Sequence, residues 1–301
     1  MKRLIILAVI VLIAGGVIYW NERRNDQTQA GPATLVNWFA DTQRQASRIP
    51  MKATRLSDAE EKQIGDEIAK RYRSYLQANW NAATDAPVEQ YIREVGARLV
   101  GGSTKAPAII GLRTKRKIEY NFYYVPDDHF INAFALPGGH IFFGKGLLKL
   151  MDSEDQLAAI LGHEIEHIDR YHCAERVQIE ARTRKLPLSG LVTLPIAIFQ
   201  AGYTKEQEFE ADLEGADLAM MAGYSPEGAV RNFEMLGRLY RAHVNRQSRT
   251  PSQELSKVAL GTLVGYFRSH PLPDERKRRI QEMIDRRRLA PKAERPLQVK
   301  V

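Results

Sequence analysis

Two histidines and a glutamate occur at a spacing that can bind and use a metal ion. The chain reads His163-Glu164-Ile165-Glu166-His167, an H-E-x-x-H pattern. On an α-helix, residues four apart lie on the same side, so both imidazoles can reach one metal ion. The glutamate after the first histidine could then act as a base on a metal-bound water. Because two protein ligands do not hold a catalytic zinc ion, the pattern requires a third ligand elsewhere in the chain.

The stretch from Ser153 to Arg176 predicts the helix that this motif needs. Ser153 and Gln156 have the spacing of a capping box, with Ser153 as the N-cap. Apolar residues then recur at helical spacing, at Leu157, Ile160, Leu161, Ile165 and Ile168. We therefore predict that the motif lies on a partly buried helix. A solvated helix face of histidines and glutamates is the alternative.

A second acidic motif supplies a candidate third ligand. The chain reads Glu208-Phe209-Glu210-Ala211-Asp212, within a helix predicted from Lys205 to Met221. Glu208 and Asp212 are four apart and share a face of that helix. One carboxylate can bind the metal while the other accepts a hydrogen bond from a ligand histidine. Acidic helix faces are common, so this motif has meaning only beside the first one.

These two motifs and two further ones resemble metallopeptidase family forty-eight, which includes HtpX, BepA and the Ste-type prenyl-protein proteases. The further motifs are Asn132-Ala133-Phe134-Ala135-Leu136-Pro137-Gly138-Gly139 and Ser269-His270-Pro271-Leu272-Pro273. All four occur in the family's order. The resemblance implies an α+β, mostly helical, zincin-like metallopeptidase fold with a small β-sheet beside the H-E-x-x-H helix. It also implies a zinc metalloendopeptidase activity.

The resemblance assigns roles to the metal-site residues. It implies one Zn²⁺ per chain, bound by His163, His167 and Glu208. Glu164 would be the catalytic base, and Asp212 would support the site from outside the ligand shell. These assignments match the chemistry that the two motifs allow.

A β-sheet is predicted directly before the metal helix. Residues from Ile118 to Val125, Phe130 to Leu136 and His140 to Phe143 are rich in β-forming types. Such a sheet could offer an edge strand to an extended peptide, or it could be a structural meander. The resemblance implies a substrate-facing edge that contains Asn132, Ala133, Phe134, Gly138 and Gly139.

His270 is a further candidate catalytic residue, on the strength of its motif. It would approach the metal site, where it either steadies the oxyanion or caps the zinc in a latent state. A structural histidine at a helix end is the alternative.

The N-terminus predicts where the protein resides. After Met1-Lys2-Arg3, an uncharged run extends from Leu4 to Trp20, close to the lower limit for a membrane-spanning helix. We interpret residues 1–24 as a signal anchor that holds the rest of the chain on the periplasmic side of the inner membrane. Cleavage as a signal peptide, with release into the periplasm, is the alternative. Residues 25–55 are a predicted linker, 56–284 the zinc metallopeptidase domain, and 285–301 a basic C-terminal tail.

Charge and cysteine content narrow the choice of partners. The net charge is +8, and basic residues concentrate near the C-terminus, as in Arg276-Lys277-Arg278-Arg279. Such clusters could contact anionic lipid or an acidic partner, and a solvated helix face is the simpler alternative. Nucleic acid is not expected, because no aromatic-basic stacking motif accompanies the charge. Cys173 is the single cysteine, which excludes an intrachain disulfide.

The sequence therefore predicts a zinc metalloendopeptidase of the bacterial cell envelope that acts on unfolded or misassembled proteins in quality control. The single hydrophobic span and the short C-terminal region favour a compact, singly anchored branch of the family. One alternative is a processing protease with a single substrate. Another is a non-catalytic, zinc-stabilised envelope scaffold or chaperone. The presence of Glu164 and all three candidate ligands favours an enzyme.

Overall fold

The structure is a computed structural model, and it describes residues 56–103, 109–185, 187–199, 203–247, 273–289 and 292–299. The predicted anchor (residues 1–24), the predicted linker (25–55) and His270 lie outside the described residues. Within them, the helices are all too short or too polar to cross a bilayer.

Two long helices open the described chain, α1 (Asp58–Leu76) and α2 (Ala82–Val100). The Ser57 hydroxyl accepts a hydrogen bond from the Glu60 amide, and the Ser57 amide donates one to the Glu60 carboxylate. Reciprocal bonds of this kind satisfy two of the amides that a helix start leaves without partners. Both helices lie against the sheet through their apolar faces.

A mixed four-stranded sheet follows these helices. Its strands are β1 (Ile109–Ile110), β2 (Glu119–Val125), β3 (Ala133–Leu136) and β4 (His140–Gly144). The order is β1-β2-β4-β3, with β2 and β4 parallel and the other pairs antiparallel. Every residue of β3 and β4 is buried. Two-residue β1 was not predicted, because a strand this short has no readable period.

The remaining elements are mostly helical. They are α3 (Lys145–Leu148), α4 (Glu154–Asp169), α5 (His172–Arg184), two 3₁₀ turns (Leu188–Thr193 and Ile196–Ile198), α6 (Lys205–Met221), α7 (Glu227–Gln247) and α8 (Pro273–Arg287). Helix α6 begins and ends where the sequence predicts. The mostly helical α+β architecture with a small sheet is therefore confirmed.

Helix α4 carries the H-E-x-x-H motif and lies at the centre of the described fold. It packs against α6 and α7 and also contacts α2 and β3. All of its residues are buried, so the helix is more deeply enclosed than the predicted amphipathic one. Ser153 caps the start of the helix as predicted, since its hydroxyl accepts a hydrogen bond from the Gln156 amide.

Residues near the C-terminus pack onto the start of α4. The Glu154 amide donates to the Arg295 carbonyl at 2.8 Å, and the Arg295 amide donates to Asp155 Oδ2 at 2.6 Å. Ser153 and Pro296 form an isolated β-bridge. Residues 292–299, which belong to the predicted basic tail, therefore contact the domain directly.

The apolar stretch before α6 is largely internal where the structure describes it. Leu191, Leu194, Ile198 and Phe199 are buried, and they pack in one cluster with residues of α1 and the sheet. These side chains form part of the core.

Candidate metal centre

Three side chains from α4 and α6 meet in the interior of the protein. His163 and His167 of α4 and Glu208 of α6 each offer a ligand atom, and these atoms all lie within 4.8 Å of one another. The two Nε2 atoms are 3.0 Å apart, while His163 Nε2 lies 3.6 Å from Glu208 Oε2 and His167 Nε2 lies 3.7 Å from Glu208 Oε1. The two imidazole rings face each other edge-on at 88°.

These distances fit a tetrahedral metal ion. Zinc binds histidine nitrogen and carboxylate oxygen at about 2.0–2.2 Å, which puts neighbouring ligand atoms about 3.3–3.5 Å apart. The two nitrogens are 3.0 Å apart and each lies 3.6–3.7 Å from a Glu208 oxygen, which is close to that range. A donor set of two imidazoles and one carboxylate is also typical of catalytic zinc, because it leaves a fourth position open. The residues present therefore fit the ion that the resemblance implies.

Two glycines allow the metal-binding helices to approach closely. A Cβ atom on Gly162 would lie 2.6 Å from the Gly215 carbonyl oxygen, and one on Gly215 would lie 2.6 Å from the His163 amide nitrogen. Real Cβ atoms do not come so near to backbone atoms, so α4 and α6 touch backbone to backbone only because both positions lack a side chain. This contact places Glu208, two turns before Gly215, opposite the two histidines.

The outer nitrogen of His163 faces a carboxylate. His163 Nδ1 lies 3.0 Å from Asp212 Oδ1, one helical turn beyond Glu208. Arg276 of α8 binds Asp212 with two hydrogen bonds, from Nε at 2.7 Å and from Nη2 at 2.6 Å. Its Nη1 also lies 3.2 Å from Glu208 Oε2. The spacing left open which carboxylate would bind the metal, and the geometry favours Glu208 as the candidate ligand and Asp212 as its support.

Charge pairing keeps the supporting carboxylate ionised although it is buried. Burial by itself raises the pKa of Asp212, but the charge and hydrogen bonds of Arg276, with a further contribution from His163, hold that pKa well below its ordinary range. For His163, burial lowers the pKa, and the hydrogen bond and charge of Asp212 outweigh it, so the pKa is raised. An ionised Asp212 can therefore accept a hydrogen bond from His163 Nδ1–H and leave Nε2 for the metal.

His167 has a different set of neighbours. Its Nδ1 lies 2.9 Å from Nδ1 of His172, the first residue of α5. The Tyr203 ring stacks on the His167 ring with centroids 3.8 Å apart and a 17° interplanar angle. The Tyr203 hydroxyl in turn lies 3.3 Å from Cys173 Sγ. His167 itself is fully buried.

Glu164, the predicted base, occupies α4 directly after His163 and is 1% exposed. Its position on the helix that supplies two ligands puts it in the same enclosed region as the candidate metal. The three candidate ligands and the predicted base are therefore all buried residues of α4 and α6.

The predicted substrate-facing stretch lies on the β3–β4 hairpin. Ala133 and Phe134 belong to β3, the last strand in the sheet order, and β3 contacts α4. Gly138 and Gly139 form its turn, with φ of 78° and 102°. A Cβ on Gly138 would lie 2.7 Å from the Lys62 Cα, and one on Gly139 would lie 1.9 Å from the Glu119 carbonyl oxygen.

These glycines therefore pack against α1 and β2, where a positive φ and a close approach both require glycine. Strand β3 adjoins the metal helix, and Asn132, just before it, is buried, with its carbonyl accepting a hydrogen bond from the Gly144 amide.

Comparison with known protein families identifies the chain. Residues 86–284 match the family described as Peptidase family M48. The chain belongs to this peptidase family. The predicted family is confirmed, and this membership supports the predicted enzyme class, a metalloendopeptidase. The matched range includes α4, α6 and most of α8, and with them every residue of the candidate metal centre described above.

Several curated metallopeptidases are similar to this one. The β-barrel assembly-enhancing protease of Escherichia coli (strain K12) is 28% identical over 262 residues, which are 79% of this chain and 47% of that protein. Metalloprotease LoiP of the same organism is 27% identical over 247 residues, covering 77% of this chain and 84% of that protein. Mitochondrial metalloendopeptidase OMA1 of Arabidopsis thaliana is 32% identical over 123 residues, covering 38% and 25%. The chain spans about half the length of the β-barrel assembly-enhancing proteases.

The structure corrects the interpretation of one arginine of this metallopeptidase. Arg276 belongs to a basic cluster that the sequence suggested could contact lipid, but its side chain is 3% exposed and binds Asp212 and Glu208. Its neighbour Arg278 has a side chain that is 68% exposed. Charge clustering could not separate the two, whereas the i, i+4 and i, i+7 apolar positions Ile280 and Met283 would have placed Arg276 on the buried face of α8.

Proposed function

We propose that His163, His167 and Glu208 bind one Zn²⁺ and that this metalloendopeptidase uses Glu164 as its catalytic base. The observation that carries the proposal is the meeting of the three ligand atoms within 4.8 Å in a buried position. Glu164 is adjacent in sequence to a ligand and shares its helix. A purely structural zinc site has no need of such a carboxylate, so this arrangement favours catalysis over a scaffold role.

Bound zinc would activate a water molecule and polarise the peptide carbonyl. Glu164 accepts a proton from the attacking water and later delivers a proton to the leaving amine. Asp212 accepts the Nδ1–H of His163, which orients that ring and leaves its Nε2 to the metal. Arg276 pairs with Asp212 and lies beside Glu208, so its positive charge compensates the negative charge of these two buried carboxylates.

We also propose that the enzyme works in the bacterial cell envelope on unfolded or misassembled proteins. Two facts support this location: the uncharged run in residues 1–24 and the similarity to a bacterial protease named for β-barrel assembly. In this proposal residues 1–24 anchor the chain in the inner membrane, 25–55 link it, 56–284 form the periplasmic peptidase domain and 285–301 follow as a basic segment. Contact of that segment with anionic lipid stays a prediction, as do the roles of His270 and of β3 toward substrate.

Cleavage of an unfolded protein by the purified full-length chain tests the activity. We expect degradation of reduced, unfolded casein, its loss after treatment with a chelator, and its return with a stoichiometric amount of Zn²⁺. Cleavage that a chelator leaves unchanged would overturn the zinc assignment. Profiling the cut sites on a peptide library separates broad quality control, which gives many sites, from a processing protease, which gives one.

A further inference from the structure

The two candidate ligand histidines differ in what lies behind them. His163 faces Asp212, a buried carboxylate that Arg276 neutralises. His167 instead faces another histidine, with its Nδ1 2.9 Å from His172 Nδ1. The far nitrogen of His172, Nε2, lies 3.3 Å from Glu210 Oε2. A chain of contacts therefore runs from the metal site through two imidazoles to a carboxylate.

The positions of the protons along this chain follow from its geometry. If His167 Nε2 binds the metal, His167 Nδ1 carries the proton and donates to His172 Nδ1. His172 Nδ1 must then be an acceptor, so the neutral ring of His172 has its proton on Nε2. That N–H donates to the Glu210 carboxylate, which accepts it. One set of tautomers thus satisfies every contact from the metal to Glu210, and any other set places two donors or two acceptors face to face.

A strained turn brings His172 back to His167. In an unbroken helix, residues five apart point about 140° away from each other, so their side chains would not meet. Here α4 ends at Asp169, and Tyr171 adopts the left-handed conformation with φ 64° and ψ 17° before α5 begins at His172. Non-glycine residues rarely adopt this conformation, and they do so when surrounding contacts enforce it.

Buried Arg116 supplies such contacts. Its guanidinium lies 4.0 Å from the centre of the Tyr171 ring and donates to the Ile168 carbonyl at 3.0 Å and to Glu61 Oε2 at 2.9 Å. The turn is therefore held by a charged side chain that is itself paired. Because His172 is 1% exposed, it has little freedom to leave His167 once this turn has formed.

We propose that His172 and Glu210 act together as positioning residues for His167, fixing both the tautomer and the ring orientation of that metal ligand. Stacking by Tyr203 restrains the plane of the His167 ring, and the His172 contact restrains its rotation in that plane. The inference rests on the proposed zinc site. It assigns a role to Glu210, which lies between Glu208 and Asp212 in the second acidic motif.

Zinc affinity of the full-length chain, measured by competition with a chromophoric chelator, tests the proposal. His172→Leu fills the same volume without an acceptor, and we expect zinc affinity to fall about 10- to 100-fold, as is typical when such a partner of a ligand is lost. His172→Asn places an amide oxygen near the position of Nδ1 and should restore most of the loss. Glu210→Ala should weaken binding severalfold, whereas Glu206→Ala, at an exposed position of the same helix, should match the wild type.

A second measurement does not depend on substitution. Long-range ¹H–¹⁵N spectra of the zinc-loaded protein report the tautomer of each histidine, and we expect the Nε2–H form for His172. An Nδ1–H form, or His172→Leu and Glu210→Ala proteins that bind zinc as tightly as the wild type, would overturn the inference while leaving the zinc site intact. Absence of zinc binding by the wild-type chain would instead overturn the proposed function, and the inference with it.

Discussion

Arg276 and Asp212 form a two-bonded ion pair in the protein interior, with N–O distances of 2.7 and 2.6 Å. The pair joins α8, the last helix described, to the carboxylate that supports His163. Both side chains are at most 4% exposed, so neither charge is solvated by bulk water. An ion pair in such a position matters most when one partner is removed, because the other charge is then left buried alone.

Arg276→Met should destabilise the metal-free protein strongly. Asp212 and Glu208 would lose the positive charge that they share, and removal of one partner of a buried pair costs about 3–5 kcal/mol. Added Zn²⁺ should recover part of this loss, because the ion supplies positive charge to the same two carboxylates. Chemical denaturation with and without zinc measures both effects. Arg278→Met, at an exposed position of α8, is the matched control, and equal stabilities of the two variants would contradict the prediction.

The candidate metal-site residues could be found from the sequence because their chemistry depends on short spacings. H-E-x-x-H on a capped helix and a carboxylate pair four apart are readable without knowing how the helices cross. The partners of these residues are not readable in this way. Arg276 reaches Asp212 across 64 positions of sequence, and His172 meets His167 only because Tyr171 turns the chain.

The close crossing of α4 and α6 should depend on glycine at position 215. In Gly215→Ala, the new Cβ would lie 2.6 Å from the His163 amide nitrogen and 2.7 Å from the Gly162 carbonyl carbon. The helices must separate, which we expect to cost about 1–3 kcal/mol in unfolding free energy and to weaken zinc binding by moving Glu208 from the histidines. Thermal unfolding and zinc titration test this. Met221→Ala, at an exposed end of α6, should change neither, and an unaltered Gly215→Ala protein would refute the role of the crossing.

Glycine pairs of this kind illustrate what sequence patterns leave undetermined. Gly162 and Gly215 lie inside helices, away from any turn, so from the sequence alone they only lower the helix propensity of each segment. Only the crossing shows that their missing side chains allow the contact. The sheet gives a second example. The resemblance implies a substrate-facing role for Gly138 and Gly139, and only the structure shows how closely both glycines pack against α1 and β2.

Cys173 should react very slowly in the folded protein. The thiol is fully buried, and burial raises its pKa to about 12. Since the thiolate is the reactive form, ionisation alone should slow alkylation at pH 8 about 10³-fold relative to an ordinary exposed thiol. Because Cys173 is the single cysteine of the chain, its labelling by iodoacetamide followed by mass spectrometry reports opening around α5. Zinc should slow the labelling further, and rapid labelling of native, zinc-loaded protein would show that this region is open.

His140 should make stability fall as the pH drops below about 6.5. Its ring is 4% exposed, with Nε2 2.9 Å from Asp66 Oδ1 and Nδ1 3.0 Å from the Tyr123 hydroxyl. Burial lowers the pKa of His140 despite the opposing charge of Asp66. The unfolded chain, with an ordinary histidine pKa of about 6.5, therefore binds more protons, and acid favours it.

Denaturation curves of the wild type and His140→Gln between pH 5 and 8 test this assignment. The stability difference between the two proteins should shrink as the pH falls through this window. A difference that stays constant or grows at low pH would mean that the folded-state pKa of His140 is not depressed.

Glu164→Gln tests the central claim most directly. The substitution keeps the size of the side chain and removes its ability to accept the proton from water, while His163, His167 and Glu208 stay in place. Zinc content and cleavage of unfolded casein should be measured on the same preparation of full-length protein. We predict one zinc per chain, as in the wild type, together with loss of peptide cleavage. A Gln variant that retains zinc and still hydrolyses the substrate at the wild-type rate would contradict the assignment of Glu164 as the base.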